Sequence, residues 1–329
     1  MKKGLLVLLI IPFMFFESCK SDFNINAPYE DVFVLNCILR NDNTIQYAIL
    51  SKNTFTDNGT APTSNGNALN IKGANIKIFY NDSVFVMRDT TIQVTDTGNI
   101  TNVNCYYVKN LIINPGKIIS IEASVPGGKT LKSTIQVQEI SYAKFSTNFP
   151  QSFQTGYQIK PYYSWSWISN TQGGTDILNQ PQLEIHYKKY EGGTFIDKII
   201  LVPLAYYYIA DVYGNLIPVS VKFSFENNCM TNLETINKTM QEISGDDPDK
   251  GNYIINKVLF SVVSFDPDLT KFYSAYSTYT ENFTVKLRQT DYTNIAGGKG
   301  IFGAYYKFSQ SLVVDGSYIK SYGYQYDPK

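Results

Sequence analysis

Short runs of alternating hydrophobic and polar residues dominate this chain and predict a mainly β protein. Residues 74–80 alternate with a period of two, as a strand with one buried face does. Residues 162–167 alternate aromatic side chains with serine in the same way. Turn signals such as Asn114-Pro115-Gly116 and Pro126-Gly127-Gly128 separate these runs. Many short strands with turns at regular spacing are typical of a β-sandwich.

Two segments depart from the β pattern and predict helices. Apolar residues recur at steps of three and four between Met230 and Ile243, which places them on one helical face. Thr231 followed by Glu234 fits a capping box, and Gly245 is placed to end this helix. Asp266-Pro267 supplies an N-cap and a first-turn proline, so we expect a second helix over residues 267–277.

These elements predict two domains that are both rich in β-strands. We expect an immunoglobulin- or transthyretin-like sandwich over residues 31–140 and a larger β-rich domain with the two short helices over residues 141–329. Two domains of ~150 residues each fit the length of the chain after an N-terminal signal is removed. Hydrophobic residues make up 43% of the chain, which is enough to give each domain a core.

The N-terminus has the pattern of a lipoprotein signal peptide. Lys2 and Lys3 precede an apolar stretch from Leu5 to Phe16. That stretch is shorter than the ~20 apolar residues that a membrane-spanning helix needs. Cys19 follows at the distance where a lipoprotein receives its diacylglycerol. The alternative is an ordinary signal peptide with a chance cysteine.

We therefore expect residues 1–18 to be removed and residues 19–30 to form a tether that carries lipid on Cys19. More than one acyl chain on this residue would anchor the body durably. Asp22 resembles part of the acidic signal that sends some lipoproteins to the cell surface, so the predicted location is the outer membrane, facing outward. Phe16-Glu17 departs from the usual residues of the lipidation motif.

Charge and cysteine content exclude several kinds of site. The 28 basic residues balance the 28 acidic ones, which leaves no electrostatic footprint for nucleic acid. Cys37, Cys105 and Cys229 are widely spaced, and the chain has one histidine, His186, so a zinc site of Cys and His is not expected. Buried free thiols are the favoured interpretation of these three cysteines, and one disulfide between two of them is the alternative.

The C-terminal part resembles a known family. The run from Asp266 to Tyr273, DPDLTKFY, and the run from Tyr292 to Ala304, YTNIAGGKGIFGA, are similar to a Bacteroidota outer-membrane lipoprotein family, domain of unknown function 4249. The resemblance extends over nearly the whole chain after the signal, but its specific part is the second run. It implies a lipoprotein that acts beside a TonB-dependent transporter in nutrient uptake or envelope assembly. It implies no catalytic residues and no cofactor apart from the lipid.

An aromatic row is the first candidate binding site. Tyr163, Trp165 and Trp167 share one face if this segment is a strand, and exposed aromatic rings can stack on sugars. Such a platform would bind a glycan. The alternative is a packed core face, because large aromatic residues are often buried.

Three further patterns have a chemical and a plain interpretation. Asp246, Asp247 and Asp249 could gather around Ca²⁺, but the calcium-loop spacing is incomplete and a solvated turn is favoured. The run Gly298–Gly303 matches GxGxxG, but a strand follows it, so we expect a glycine-rich bend that lets strands approach closely. His186 would have to serve any Ser-His-Asp triad, and it lies on an alternating strand, facing away from Ile185.

Taken together, these patterns favour a non-catalytic outer-membrane lipoprotein, accessory to a TonB-dependent transporter or to an envelope assembly complex. The first alternative is a surface glycan-binding protein that uses the aromatic row. An extracellular hydrolase is the third hypothesis, and it would need a cleft in which titratable groups converge.

Overall fold

The computed structural model describes residues 32–53, 70–96, 99–145, 162–169, 176–205, 207–210, 216–219, 223, 225–277 and 292–328. The predicted signal peptide, the tether and the lipidation site Cys19 lie outside these residues. The described part of the chain is mainly β, as the sequence pattern predicts. None of its helices is long and apolar enough to cross a membrane.

The described residues before 146 form nine strands. They are β1 Val32–Arg40, β2 Gln46–Asn53, β3 Asn75–Tyr80, β4 Ser83–Val86, β5 Arg88–Asp96, β6 Asn99–Val108, β7 Ile118–Ser124, β8 Thr130–Gln136 and β9 Ile140–Phe145.

Nine further strands and three α-helices follow. The strands are β10 Tyr162–Ser169, β11 Asn179–Glu191, β12 Thr194–Val202, β13 Tyr207–Ala210, β14 Leu216–Val219, β15 Asn228–Asn232, β16 Tyr253–Phe265, β17 Lys299–Leu312 and β18 Gln325–Tyr326. The helices are α1 Leu233–Glu242, α2 Pro267–Ser277 and α3 Gly316–Ser321, and a 3-10 turn covers Lys250–Asn252.

One long sheet runs through both predicted domains. Its strand order is β12-β11-β16-β17-β1-β2-β6-β5, and β18 pairs with β16. The two halves join where β17 lies parallel to β1, with Phe302 opposite Cys37. The predicted division after residue 140 therefore does not separate two sheets.

The long sheet has an inner face that is covered by two smaller sheets. In the N-terminal half, the sheet β4-β3-β7-β8 encloses a core with Leu35, Ile76 and Phe302. In the C-terminal half, the sheet β15-β10-β9 encloses a second core, which includes Trp165 and Phe260. This arrangement of layers is sandwich-like. At one end β16 and β17 are buried on both faces, because Leu269 of α2 packs with Phe265 and Ile301 on the outer face.

The two predicted helices are present. Helix α2 begins at Pro267, and the Asp266 carboxylate caps it by accepting the Leu269 N–H at 2.8 Å. Helix α1 ends near Gly245, whose φ is +54°. The predicted cap of α1 was wrong: Asn232 Oδ1, not Thr231, accepts the Thr235 N–H at 2.8 Å. The sequence pattern does not predict α3.

The glycine-rich run lies in the seam between the two halves of the long sheet. A Cβ on Gly298 would lie 2.6 Å from the Phe33 carbonyl oxygen, and one on Gly300 would overlap the Leu35 carbonyl. The Asn294 side chain braces the same segment, because it both donates to and accepts from the Phe302 backbone. The predicted glycine bend with close backbone approach is confirmed, since β17 continues as a strand and no helix follows the GxGxxG run.

Candidate interaction surface

The hairpin of β11 and β12 forms one end of the long sheet. Gly192 and Gly193 connect the two strands with φ values of +59° and +87°. Positive φ at both central residues suits a two-residue turn that follows the right-handed twist of paired strands, and glycine adopts it without strain. Glu191 is paired with Thr194, and the pairing continues to Leu183 and Val202.

Four large apolar side chains on this hairpin are exposed, and we call them the hairpin patch. They are Tyr190 at 44%, Phe195 at 45%, Ile199 at 57% and Leu201 at 57%. The pairing places all four on the outer face of the sheet, opposite to the face that the three-stranded sheet covers. Covering one half-exposed side chain of this size would contribute about 1 kcal/mol. The oppositely charged pair Lys188 and Asp197 lies between Tyr190–Phe195 and Ile199–Leu201 on the same face. Large apolar side chains exposed on one face of a sheet are typical of an interaction surface.

Strand β12 also has a free edge. In the described part of the chain, β11 is its one partner strand, so the backbone groups on its other side are not engaged in a sheet. Five side chains along this edge are exposed: Thr194, Phe195, Ile196, Asp197 and Ile199. An exposed, apolar edge strand is a template for pairing with another strand.

A buried ion network borders the hairpin patch. Glu184 accepts hydrogen bonds from Lys307 at 2.6 Å and from His186 at 2.8 Å. Burial acts to raise the pKa of Glu184, but the bonds from Lys307 and His186 outweigh it, so the pKa is lowered. The network keeps a charged carboxylate beside Leu201 and gives this part of the outer face a polar border.

The hairpin itself carries a second set of charges. Glu191 accepts from Lys189 and from Lys198, each at 3.0 Å. The bond to Glu191, followed by one to Tyr253, raises the pKa of Lys189 to about 12. Asp197 is exposed and makes no ion pair with the residues that the structure describes. It is therefore the free charge in the middle of the edge strand.

The predicted glycan platform was wrong. Tyr163 is buried, and Trp165 and Trp167 are each 2% exposed. The row faces the long sheet, where Trp165 stacks on Phe260 with ring centroids 5.0 Å apart. A sugar cannot reach these rings, because the inner face of the long sheet already covers them. The alternative interpretation, a packed core face, is confirmed.

The side chain of Asp247, one of the three aspartates after α1, accepts hydrogen bonds from within the same segment. Asp247 accepts the Tyr253 hydroxyl at 2.7 Å and the Asp249 N–H at 2.9 Å. These two bonds, the hydroxyl first, lower the pKa of Asp247. The Asp246 side chain takes no part in these two hydrogen bonds. Within the described ranges, no three His, Cys, Asp or Glu side chains are grouped so that they could hold a metal.

The three cysteines behave as small apolar residues. Cys37, Cys105 and Cys229 are buried and free, and the open possibility of a disulfide among them is not realised. Burial raises the pKa of Cys37 to about 12. A thiol in such a place is a poor nucleophile, because the thiolate is the reactive form.

The single histidine has a carboxylate partner but no nucleophile. His186 faces away from the fully buried Ile185, as the alternating pattern predicts. Its ring hydrogen-bonds to Glu184, and among the described residues no serine or cysteine bonds to the imidazole. The arrangement joins the side chains of Glu184, His186 and Lys307 across β11 and β17, and its contacts are those of a structural network.

The hairpin patch is not among the sites predicted from the sequence. The Gly192-Gly193 dipeptide between two apolar runs is a strong hairpin signal, and it was available in the sequence. The exposure of the patch could not be predicted from the sequence, because it depends on which face of the long sheet is covered.

Comparisons with known proteins add no relative. No protein-family model matches the chain. No curated protein is significantly similar to it. The resemblance of the C-terminal run to a lipoprotein family stays a prediction.

Proposed function

We propose that this protein is a non-catalytic binding module, anchored at the outer membrane by lipid on Cys19, that acts through protein contacts at the hairpin patch. It would be accessory to a TonB-dependent transporter or to an envelope assembly complex. The observation that carries the proposal is the exposed apolar surface of the β11–β12 hairpin, since large apolar side chains exposed on one sheet face are typical of an interaction surface.

Three further features support the proposal. The N-terminal pattern supplies an anchor that would hold the body beside membrane proteins. The C-terminal run resembles that of lipoproteins in the same setting. The aromatic row that favoured glycan binding is part of the core, so the hairpin patch is left as the best candidate for contact.

The proposal is tested by purifying the tagged protein from the membranes of its own host cells and identifying the bound proteins by mass spectrometry. We expect the wild-type chain in the membrane fraction, with a transporter or assembly protein enriched over an unrelated tagged lipoprotein. The Cys19→Ser variant should leave the membrane fraction and lose that partner. A wild-type chain recovered alone, or a Cys19→Ser variant that still fractionates with membranes, would contradict the proposal.

A further inference from the structure

The free edge of β12 restricts the kind of partner that the hairpin patch can bind. We propose that β12 receives an extended segment of another protein, which adds to the long sheet as one more strand. The segment carries apolar side chains at alternate positions and a lysine or arginine opposite Asp197. This inference rests on the proposed function and names the chemical class of the partner.

The two edges of the long sheet differ, and the difference points to β12. Strands β5 and β12 form the two ends of the sheet, and each has nine residues. The exposed side chains that the structure describes on β5 are Arg88, Asp89, Thr91 and Gln93, which are polar and discourage strand pairing. On β12, large apolar side chains are exposed instead.

Strand β12 lacks two of the devices that normally protect an edge strand, proline and short length, and its protection is limited to the charges of Asp197 and Lys198. It contains no proline, and it is longer than the four-residue edge strand β4. Lys198 could act as a charged guard, but its ammonium group bonds to Glu191 on the neighbouring strand. The backbone along Thr194–Ile199 is therefore accessible to a strand that brings its own N–H and C=O groups.

The side chains of β12 specify the pattern of the added strand. Directly opposite residues of paired strands lie on the same face, so the incoming strand would place every second side chain beside the hairpin patch. Three of those positions lie opposite Phe195, Ile199 and Leu201 and would be apolar. The fourth lies opposite the unpaired carboxylate of Asp197, where a cation is favoured.

A second copy of this chain fits the same edge less well. Lys198 is the central residue of Thr194–Val202. Antiparallel pairing of two copies about this centre would place Lys198 opposite its own counterpart, and like charges directly opposite each other are destabilising. Charge therefore disfavours a second copy in this one register, and the proposed partner is a strand with a cation next to Asp197.

The inference is tested with a displayed library of random nine-residue peptides, selected on the detergent-purified full protein immobilised through a C-terminal tag. We expect enriched peptides with apolar residues at alternate positions and Lys or Arg at one fixed position. A selection on the Asp197→Lys variant should enrich Asp or Glu at that position instead. Peptides selected on the wild type should bind the Asp197→Lys variant at least tenfold more weakly.

A matched control places a new charge on the other edge. The Gln93→Lys variant on β5 should bind the wild-type peptides unchanged, and urea unfolding should show that both variants remain folded. The inference is overturned if no pattern is enriched, or if Asp197→Lys leaves the selected pattern unchanged. It is also overturned if light scattering shows a dimer that Asp197→Lys or Leu201→Ser disrupts, because the occupant is then a second copy.

The two proposals fail in different ways. If a membrane partner co-purifies with the protein but no peptide is selected, the protein binds by contacts other than strand addition. If peptides are selected but the protein is recovered alone from membranes, the edge is a strand acceptor and the accessory function is wrong.

Discussion

Strands β10 and β12 each place large apolar side chains at alternate positions on one face, yet the structure buries one row and exposes the other. Trp165 and Trp167 on β10 are 2% exposed, whereas Ile199 and Leu201 on β12 are 57% exposed. The difference comes from topology. Strand β10 is the middle strand of a small sheet that packs on the inner face, and β12 is an edge strand whose patch lies on the outer face.

The comparison shows what an apolar row can and cannot reveal. Alternation identifies a strand with two different faces. It does not reveal whether another layer covers the apolar face, because the covering layer comes from residues far away in sequence. On β10 that layer contains Phe260, and on the outer face of β12 the structure describes no covering element.

The largest expected effect is on the buried row. Trp165→Ala removes a side chain that stacks on Phe260 at 5.0 Å. We expect the free energy of unfolding to fall by about 3–5 kcal/mol, because the cavity and the lost burial both act against the folded state. Urea unfolding followed by circular dichroism measures this. A loss below ~1 kcal/mol would mean that β10 is not a core strand.

A variant of the glycine seam separates stability from binding. Gly300→Ala combines a φ of +113° with an overlap between the new Cβ and the Leu35 carbonyl. We expect a loss of about 3 kcal/mol in the free energy of unfolding, with partner binding retained at temperatures where the variant is folded.

Gly127→Ala is the matched control for the seam. Its φ is +103°, but a Cβ there would meet no atom within 4 Å. It should cost about 1 kcal/mol, the part that is due to backbone conformation alone. Equal losses for the two glycine variants in urea unfolding would show that close approach at the seam does not contribute.

The next effect is the pH dependence of stability that comes from Asp266, whose buried carboxyl group caps α2. Burial raises the pKa of Asp266 to about 7, although backbone N–H groups of Leu269 and Ala304 favour its charged form. In the unfolded chain an aspartate has a pKa of ~3.9. The folded chain therefore binds this proton more tightly, and the stabilising contribution is complete below pH ~4 and is lost as the pH rises through 7.

We expect this one group to lower the free energy of unfolding by up to ~1.4 kcal/mol per pH unit between pH 5 and 7. Asp266→Asn should flatten that part of the profile and lower stability at acid pH, since the amide cannot accept both backbone N–H groups. The measurement is urea unfolding across pH 4–8. An unchanged slope in the variant would show that Asp266 does not titrate in this range.

Much of the fold could be predicted from the sequence, because its signals are local. The strands around residues 74–80, the two helices α1 and α2 and the glycine bend at Gly298–Gly303 follow from periodicity, caps and turn chemistry. The aspartate turn and the buried cysteines also agree with the plain interpretations. Each of these depends on neighbours within a few residues or on composition.

The candidate site could not be predicted in the same way. The parallel pairing of β1 with β17 joins residues more than 250 positions apart, as the pair Cys37 and Phe302 shows. That pairing builds one long sheet and decides which face is covered. The aromatic row therefore stayed open between a core face and an exposed platform, and the hairpin patch was not recognised.

The smallest effect on stability should come from substitutions in the hairpin patch. These substitutions test most directly whether β12 binds a partner and does not stabilise the fold. The double variant Ile199→Ser with Leu201→Ser is compared with Ile112→Ser, whose side chain is 56% exposed on a loop. Partner recovery from membranes and urea unfolding are measured on both. We expect the double variant to lose at least nine-tenths of its co-purified partner. Its free energy of unfolding should stay within ~1 kcal/mol of the wild type. Ile112→Ser should keep the partner. Full partner recovery by the double variant, or a loss of partner that accompanies unfolding, would contradict the proposed role of β12.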